Sequence, residues 1–329
     1  MTLSHHTRRQ FISLAIAAAG LASGALSAQT AYPTKTIAMV VPTATGGTTD
    51  LAARLISQPL AAALGQAVVV ENKGGANGTI GAMAVKKSEP DGYTLFMQYS
   101  GYHVITPYVS SSPLPWNAND FVPIANVISA PQVIVVRADL PIKTMAELVA
   151  YAKANPGKLN YASSGNGSLQ HVTGAMLEQQ TGIKMTHVPY KGTGPALTDL
   201  VGGQVDLTFG TPPPFVPHIQ SGKLRAIAVT SKKRLPSMPD VPTTAEAGMP
   251  KLNPTSWFAL FAPAKTPKPV IDKLSAEVAK ILATPAIKQK AIDLGAEADY
   301  MNPKELAEMV KQDQVRWQAV VKSSNIKAD

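Results

Sequence analysis

The stretch Val40-Val41-Pro42-Thr43-Ala44-Thr45-Gly46-Gly47-Thr48-Thr49-Asp50-Leu51-Ala52-Ala53-Arg54-Leu55-Ile56 changes its pattern in the middle. The run from Thr36 to Val41 reads as a short buried strand that stops at Pro42, whereas Leu51, Ala52, Leu55 and Ile56 recur at helical spacing. Thr48, Thr49 or Asp50 is placed to cap that helix. A strand, a glycine pair and a helix start in this order aim several backbone N–H groups and the positive end of a helix dipole at one point, which suits an anion. An ordinary strand-to-helix turn is the competing reading.

The same pattern returns in Tyr161-Ala162-Ser163-Ser164-Gly165-Asn166-Gly167-Ser168-Leu169-Gln170-His171, where a strand runs through a Gly/Ser loop into a helix. Ser163, Ser164 and Ser168 add hydroxyl donors to the N–H groups of Gly165 and Gly167, giving a second concave anion site. A third loop, Val188-Pro189-Tyr190-Lys191-Gly192-Thr193-Gly194-Pro195, also precedes a helix and carries a lysine. Three such loops in one chain argue against accidental turns. Gly74-Gly75-Ala76-Asn77-Gly78-Thr79-Ile80-Gly81 is the most glycine-dense segment, and a tight turn before a helix packed close to a sheet explains it better than a phosphate cradle.

The chain has 329 residues, 45% of them hydrophobic and 16% charged, enough to bury a large core in about two domains. Residues 1–28 read as an export signal: Arg8-Arg9 is followed by no charged residue until Lys35, and Phe11 to Ala28 is rich in Ala, Leu, Ile, Gly and Ser. Thr7-Arg8-Arg9-Gln10-Phe11-Ile12 resembles a twin-arginine signal, cleavage is expected near Ala25-Leu26-Ser27-Ala28, and the mature protein is expected in the periplasm. The apolar stretch is too short and too diluted for a spanning helix. With no cysteine, disulfides, thiolate metal sites and thiol nucleophiles are excluded. The formal charge of +9 becomes 9 − 2 = +7 without Arg8 and Arg9, and the lysines are scattered. Lys232-Lys233-Arg234, the longest basic run, reads as a solvated loop and not a nucleic-acid stripe.

Short apolar runs alternate with helical stretches, the pattern of an α/β protein with mostly parallel strands. Strands are expected at 67–71, 94–98, 132–136, 159–162, 207–209, 226–229 and 258–261. Thr144-Met145-Ala146-Glu147 is a capping box opening a helix to about Ala154. Further helices are expected at 169–180, 195–201, 269–283, 285–294 and 303–320, the last three each opening with proline. The segments 124–128 and 253–257 are candidate crossings between two lobes.

Enzyme readings fare poorly. Ser164, Ser168 and His171 lack a Gly-x-Ser-x-Gly elbow and an acid partner, and His171 reads as a satisfied structural histidine. His103, His171, His187 and His218 have no metal-ligand spacing, so no metal is expected. Gly192-Thr193-Gly194 lacks the third glycine of a dinucleotide fingerprint, and no cofactor is expected. Trp257 and Trp317 are assigned to core packing.

The order of these motifs resembles one family. Thr45-Gly46-Gly47-Thr48-Thr49-Asp50, Glu71 to Gly78, Pro90-Asp91-Gly92-Tyr93-Thr94-Leu95, Ser163 to Ser168 with His171, His187 to Gly192, Gly222 to Val229 and Asp240-Val241-Pro242-Thr243 look like a periplasmic solute-binding protein of the tripartite tricarboxylate transporters, the Bug or TctC-like family. The match runs from about Tyr32 to Asp329. The resemblance implies a two-lobed periplasmic-binding-protein fold of type II with a ligand cleft at the hinge, no catalysis, a monomer, and membrane transporter subunits as partners. The lobes it implies are 29–127 plus 253–329, and 128–252. It implies a small carboxylate gripped by Thr43, Ala44, Thr45, Gly46, Gly47, Thr48 and Asp50 from one lobe. Ser163, Ser164, Gly165, Asn166, Gly167, Ser168 and His171 face them, with Tyr190, Lys191 and Thr193 alongside. Tyr99, Ser100, Gly210 and Thr211 complete the set. A sensing adaptor for a signalling protein is the alternative role.

Two departures bear on the ligand. Thr43-Ala44 stands where the family usually has a bulky residue after the proline, and Gly210 where it often has aspartate. Without that carboxylate an ammonium has no partner, so a carboxylate without an amine is expected. Tyr99, Tyr102 and His103, at the end of a strand, would bring aromatic faces to the cleft edge and favour an aromatic mono- or dicarboxylate. A C4 to C6 aliphatic dicarboxylate or a citrate-like acid is the runner-up.

Overall fold

The computed structural model describes residues 32–323; the expected signal at 1–28, with its twin arginine, lies outside them. In chain order the elements are β1 (Ile37–Val41), α1 (Thr48–Leu64), β2 (Val68–Asn72), α2 (Thr79–Lys86), β3 (Thr94–Tyr99), β4 (Phe121–Pro131), β5 (Val133–Arg137), α3 (Met145–Ala154), β6 (Asn160–Ser163) and α4 (Leu169–Thr181). They continue as β7 (Thr186–Pro189), α5 (Thr193–Val201), β8 (Leu207–Gly210), β9 (Leu224–Val229), β10 (Thr255–Pro263), α6 (Lys268–Ala283), α7 (Pro285–Asp293), β11 (Glu297–Met301) and α8 (Pro303–Ser323). A helical turn at 101–109 follows β3, and another lies at 216–220.

Two sheets form. One has six strands in the order β11-β4-β10-β3-β1-β2, the other five in the order β7-β6-β8-β5-β9. The expectation of mostly parallel strands needs correction. β1 pairs parallel with β2 and β3, and β6 with β7 and β8. β10 runs antiparallel to β3 and β4, β11 to β4, and β5 to β8 and β9. A strand that arrives from the other sheet needs no helical crossover, so it is free to pair antiparallel. β5 and β10 are such strands, and β4 leads the chain out: it stays in the six-stranded sheet beyond 124–128, and Gln132 alone separates it from β5. β4 hides in the sequence because Pro123 argues against an interior strand. The ladder absorbs the proline through a register irregularity opposite Leu260 and Phe261.

β5 shows why the five-stranded sheet reads as a continuous apolar run. Val133 and Val135 pack on one face with Ala162, Leu200 and Phe215, while Ile134 and Val136 pack on the other with Leu148, Leu177 and Phe209. α3 begins at the predicted capping box: the Thr144 hydroxyl accepts from the Glu147 N–H at 3.1 Å, and the Glu147 carboxylate accepts from the Thr144 N–H at 3.2 Å. The two crossings are tied together. The Thr230 hydroxyl accepts from the Gln132 N–H at 2.8 Å and donates to the Pro254 carbonyl at 2.6 Å. The Thr230 N–H returns to the Gln132 carbonyl at 2.9 Å, and the Gln132 amide donates to the Ser256 hydroxyl at 3.0 Å.

His103, expected at the cleft edge, is instead in the core, 1% exposed among Trp116, Phe121, Trp257 and Phe261. The turn after β3 points it inward, and its Nδ1 has no hydrogen-bond partner. Burial pushes its imidazole down to about 3, against about 6.5 in an unfolded chain. The folded protein therefore binds fewer protons than the unfolded one between these values, and stability falls as pH drops through this window. His103→Phe is expected to flatten the acid side of a urea-midpoint profile measured from pH 7 to pH 4. An unchanged slope would show that other groups carry the acid sensitivity.

Candidate ligand-binding cleft

The first loop is shaped by its own helix. α1 starts from Gly47 with no side-chain cap, contrary to the expectation for Thr48, Thr49 or Asp50. Asp50 reaches back instead: its carboxylate accepts from the Gly46 N–H at 3.1 Å and from the Arg54 guanidinium at 3.0 Å. The side chain of Asp50 is buried and that of Arg54 half exposed, so the pair fixes the loop. Thr45 and Gly46 form the exposed loop tip, while Thr43, Gly47, Thr48 and Thr49 are buried beneath it. The Thr43 hydroxyl is buried without a partner.

The second loop follows β6. The Ser163 hydroxyl accepts from the Gly165 N–H at 3.1 Å and lies 2.6 Å from His187 Nε2. His187 stacks on His171 with centroids 4.0 Å apart, and burial, then the neighbouring His171, push the His187 imidazole down to about 3. His171 Nδ1 accepts from the Gly167 N–H at 3.1 Å. Ser168 is the N-cap of α4, its hydroxyl accepting from the His171 N–H at 3.3 Å. Gln170, in the first turn of α4, gathers the neighbouring hydroxyls: its Oε1 accepts from the Ser164 hydroxyl at 3.0 Å, and its Nε2 donates to Thr193 Oγ1 at 3.4 Å.

Loops from the two sheets meet directly. The Thr48 and Thr211 hydroxyls are 2.6 Å apart. The Tyr99 hydroxyl donates to Gln170 Oε1 at 2.9 Å and accepts from the Leu169 N–H at 3.0 Å, and the Tyr102 hydroxyl donates to the Ser164 carbonyl. The Ala44 N–H donates to the Lys191 carbonyl at 3.3 Å. Glycine makes this approach possible: a Cβ on Gly194 would lie 2.2 Å from the Thr45 carbonyl oxygen, and one on Gly165 2.4 Å from Asn77 Oδ1. Ten residues, Thr43, Gly47, Thr48, Thr49, Tyr99, Ser164, Gln170, Thr193, Thr211 and Phe258, line a space of about 10 Å³, about the size of one water. None is acidic or basic.

Of the residues expected at the site, Thr43, Gly47, Thr48, Tyr99, Ser164, Thr193 and Thr211 line this cavity. The others do not line it. Asp50 is engaged by Arg54, Ser168 caps α4, and Ser163 and His171 brace the loop from behind. Ser100 turns away, its hydroxyl accepting from the Trp257 N–H at 3.4 Å. Lys191 is exposed and contributes its carbonyl, and the Tyr190 hydroxyl donates to Asp199 at 2.7 Å. Asn166 is half-buried on the loop. Gly210 carries no side chain because Phe215 occupies its place, 2.3 Å from where a Cβ would lie. Tyr99, which stacks on Phe258 at 5.5 Å and meets Tyr102 edge-on at 5.3 Å, lines the cavity with Phe258, while Tyr102 and His103 do not. Gln170, Thr49 and Phe258 were not anticipated. A polar residue on the buried side of a helix start was the signal for Gln170.

Residues 52–326 match the family described as the tripartite tricarboxylate transporter family receptor, TctC. The chain belongs to this family, and its two sheets are the two lobes of an α/β periplasmic-binding-protein fold. It is similar to the periplasmic binding protein BugD, with 39% identity, a TM-score of 0.85, and coverage of 90% of this chain and 99% of that one. It is similar to R. palustris Rpa4515 with adipate, at 35% identity and TM-score 0.87, covering 90% and 99%. It also resembles MatC (Rpa3494) from Rhodopseudomonas palustris with bound malate, at 36% identity and TM-score 0.83, covering 88% and 100%. Among the described residues no helix is long and apolar enough to cross a membrane.

Ser168→Ala is expected to cost about 1 kcal/mol of folding stability through loss of the cap. Urea denaturation of the unliganded protein reads this. An unchanged midpoint would remove the capping role.

Proposed function

We propose that this chain is an exported solute-binding protein that captures a short aliphatic dicarboxylate lacking an amine. It would deliver its ligand to the membrane subunits of a tripartite tricarboxylate transporter. In this reading residues 1–28 direct export to the periplasm, residues 29–127 plus 253–329 form one lobe, and residues 128–252 form the other.

The observation that carries the reading is the pairing of Thr48 and Thr211 across the cleft, beside the uncapped start of α1. In their mutual bond only one of the two hydroxyls donates to the other. A carboxylate between them would accept both protons, together with N–H groups of the first turn of α1. The space is about the size of one water, so a dicarboxylate would part these loops to fit. The neutral lining supports a ligand without an ammonium group, because a buried ammonium needs a carboxylate or several carbonyls. The adipate and malate bound by related proteins support an aliphatic body, and the Tyr99 and Phe258 rings beside the space keep an aromatic acid as the second reading.

Isothermal titration with succinate, malate, adipate, citrate, terephthalate and glutamate tests this. An aliphatic dicarboxylate is expected to bind tightest, and tightest binding of glutamate, or of no carboxylate at all, would sink the reading. Gly194→Ala, which sets a methyl group against the Thr45 carbonyl, is expected to weaken binding at least about tenfold, or 1.4 kcal/mol. Equal affinity in that variant would show that the loops need not meet.

A further inference from the structure

A second pocket spans the two lobes at the hinge and shares no residue with the cleft. One wall comes from the end of β4, the start of β10 and the segment before β11; the other is the loop after β9. Its volume is about 560 Å³, inside the range of about 300 to 1,000 Å³ usual for small-molecule sites. Ala130, Pro131, Leu235, Pro236 and Ala296 give it an apolar floor. Lys232 and Lys233 are exposed on its rim and, among the described residues, have no ion-pair partner, whereas Arg234 is held by Glu246 at 3.0 Å. The hydroxyl of Ser231, on the same wall, is buried and lacks a hydrogen-bond partner.

We propose that this pocket is a binding site for an amphipathic monocarboxylate. Its apolar body would lie on Leu235, Pro236 and Ala296, and its carboxylate would meet Lys232 and Lys233. The apolar floor excludes a strongly hydrated dianion, and the free ammonium groups select against a cation. The one carboxylate of the lining, Glu297, is shared with an adjoining pocket of about 310 Å³ that carries Lys288.

Titration calorimetry of the mature protein with octanoate and, in parallel, octylammonium decides the matter, and its readout does not depend on what the cleft binds. Octanoate is expected to bind one to one, to show no competition with the dicarboxylates, and to weaken at least about tenfold in Lys232→Glu/Lys233→Glu. Octylammonium is expected not to bind. No octanoate binding, displacement of octanoate by a cleft ligand, equal binding of octylammonium, or unchanged affinity in the double variant would each overturn the proposal.

Discussion

Backbone-to-backbone approach of two loops is the constraint around which this protein is arranged. The tip at Thr45 and the turn at Gly194 come close enough that one methyl group would separate them, and Gly165 lies similarly against Asn77. Because the loops touch through backbone, short hydroxyls and not long charged side chains face the space between them. The cleft therefore needs no lysine or arginine, although the formal charge is +9. The cations stay on the surface, where they contribute to the field felt by an approaching anion.

Burial inside the lobes follows the same economy. Residues whose chemistry invites a catalytic or ligand role are engaged in holding loops. Asp50 ties Gly46 to Arg54, His171 takes the Gly167 N–H, His187 meets Ser163, and Ser168 caps α4. Each satisfies a backbone or hydroxyl group that would otherwise be stranded near the cleft. The residues that face the cavity are the plainer ones, threonines, a serine and a glutamine, with two aromatic rings closing the side.

The sequence announced the loops because glycine and hydroxyl residues between a strand and a helix leave a local signature. The mixed strand directions left none. β7 and β11 are edge strands, each only partly buried, so they lack the continuous apolar run that marked β5. β4 was masked by Pro123. Which loop residues face inward was equally unreadable, since Asp50 and Thr48 stand two positions apart on α1 and the Gly46 N–H and the Arg54 guanidinium together hold the carboxylate. Tyr99 and Tyr102 looked like a ligand surface because a strand end near a cleft usually exposes its last side chains, but here the other lobe covers them.

The crossing between lobes has a mechanical consequence. Its two connections run side by side and are stitched in both directions, Gln132 N–H to the Thr230 hydroxyl and Thr230 N–H to the Gln132 carbonyl. A stitched pair of tethers resists torsion and lateral shear far more than bending, much as a door leaf is held by two pins on one line. Any opening of the lobes would thereby follow nearly a single angular coordinate. Along one coordinate, loops such as those at Thr45 and Gly194 would return to the same alignment at each closure, which contacts with tolerances of a single methyl group require.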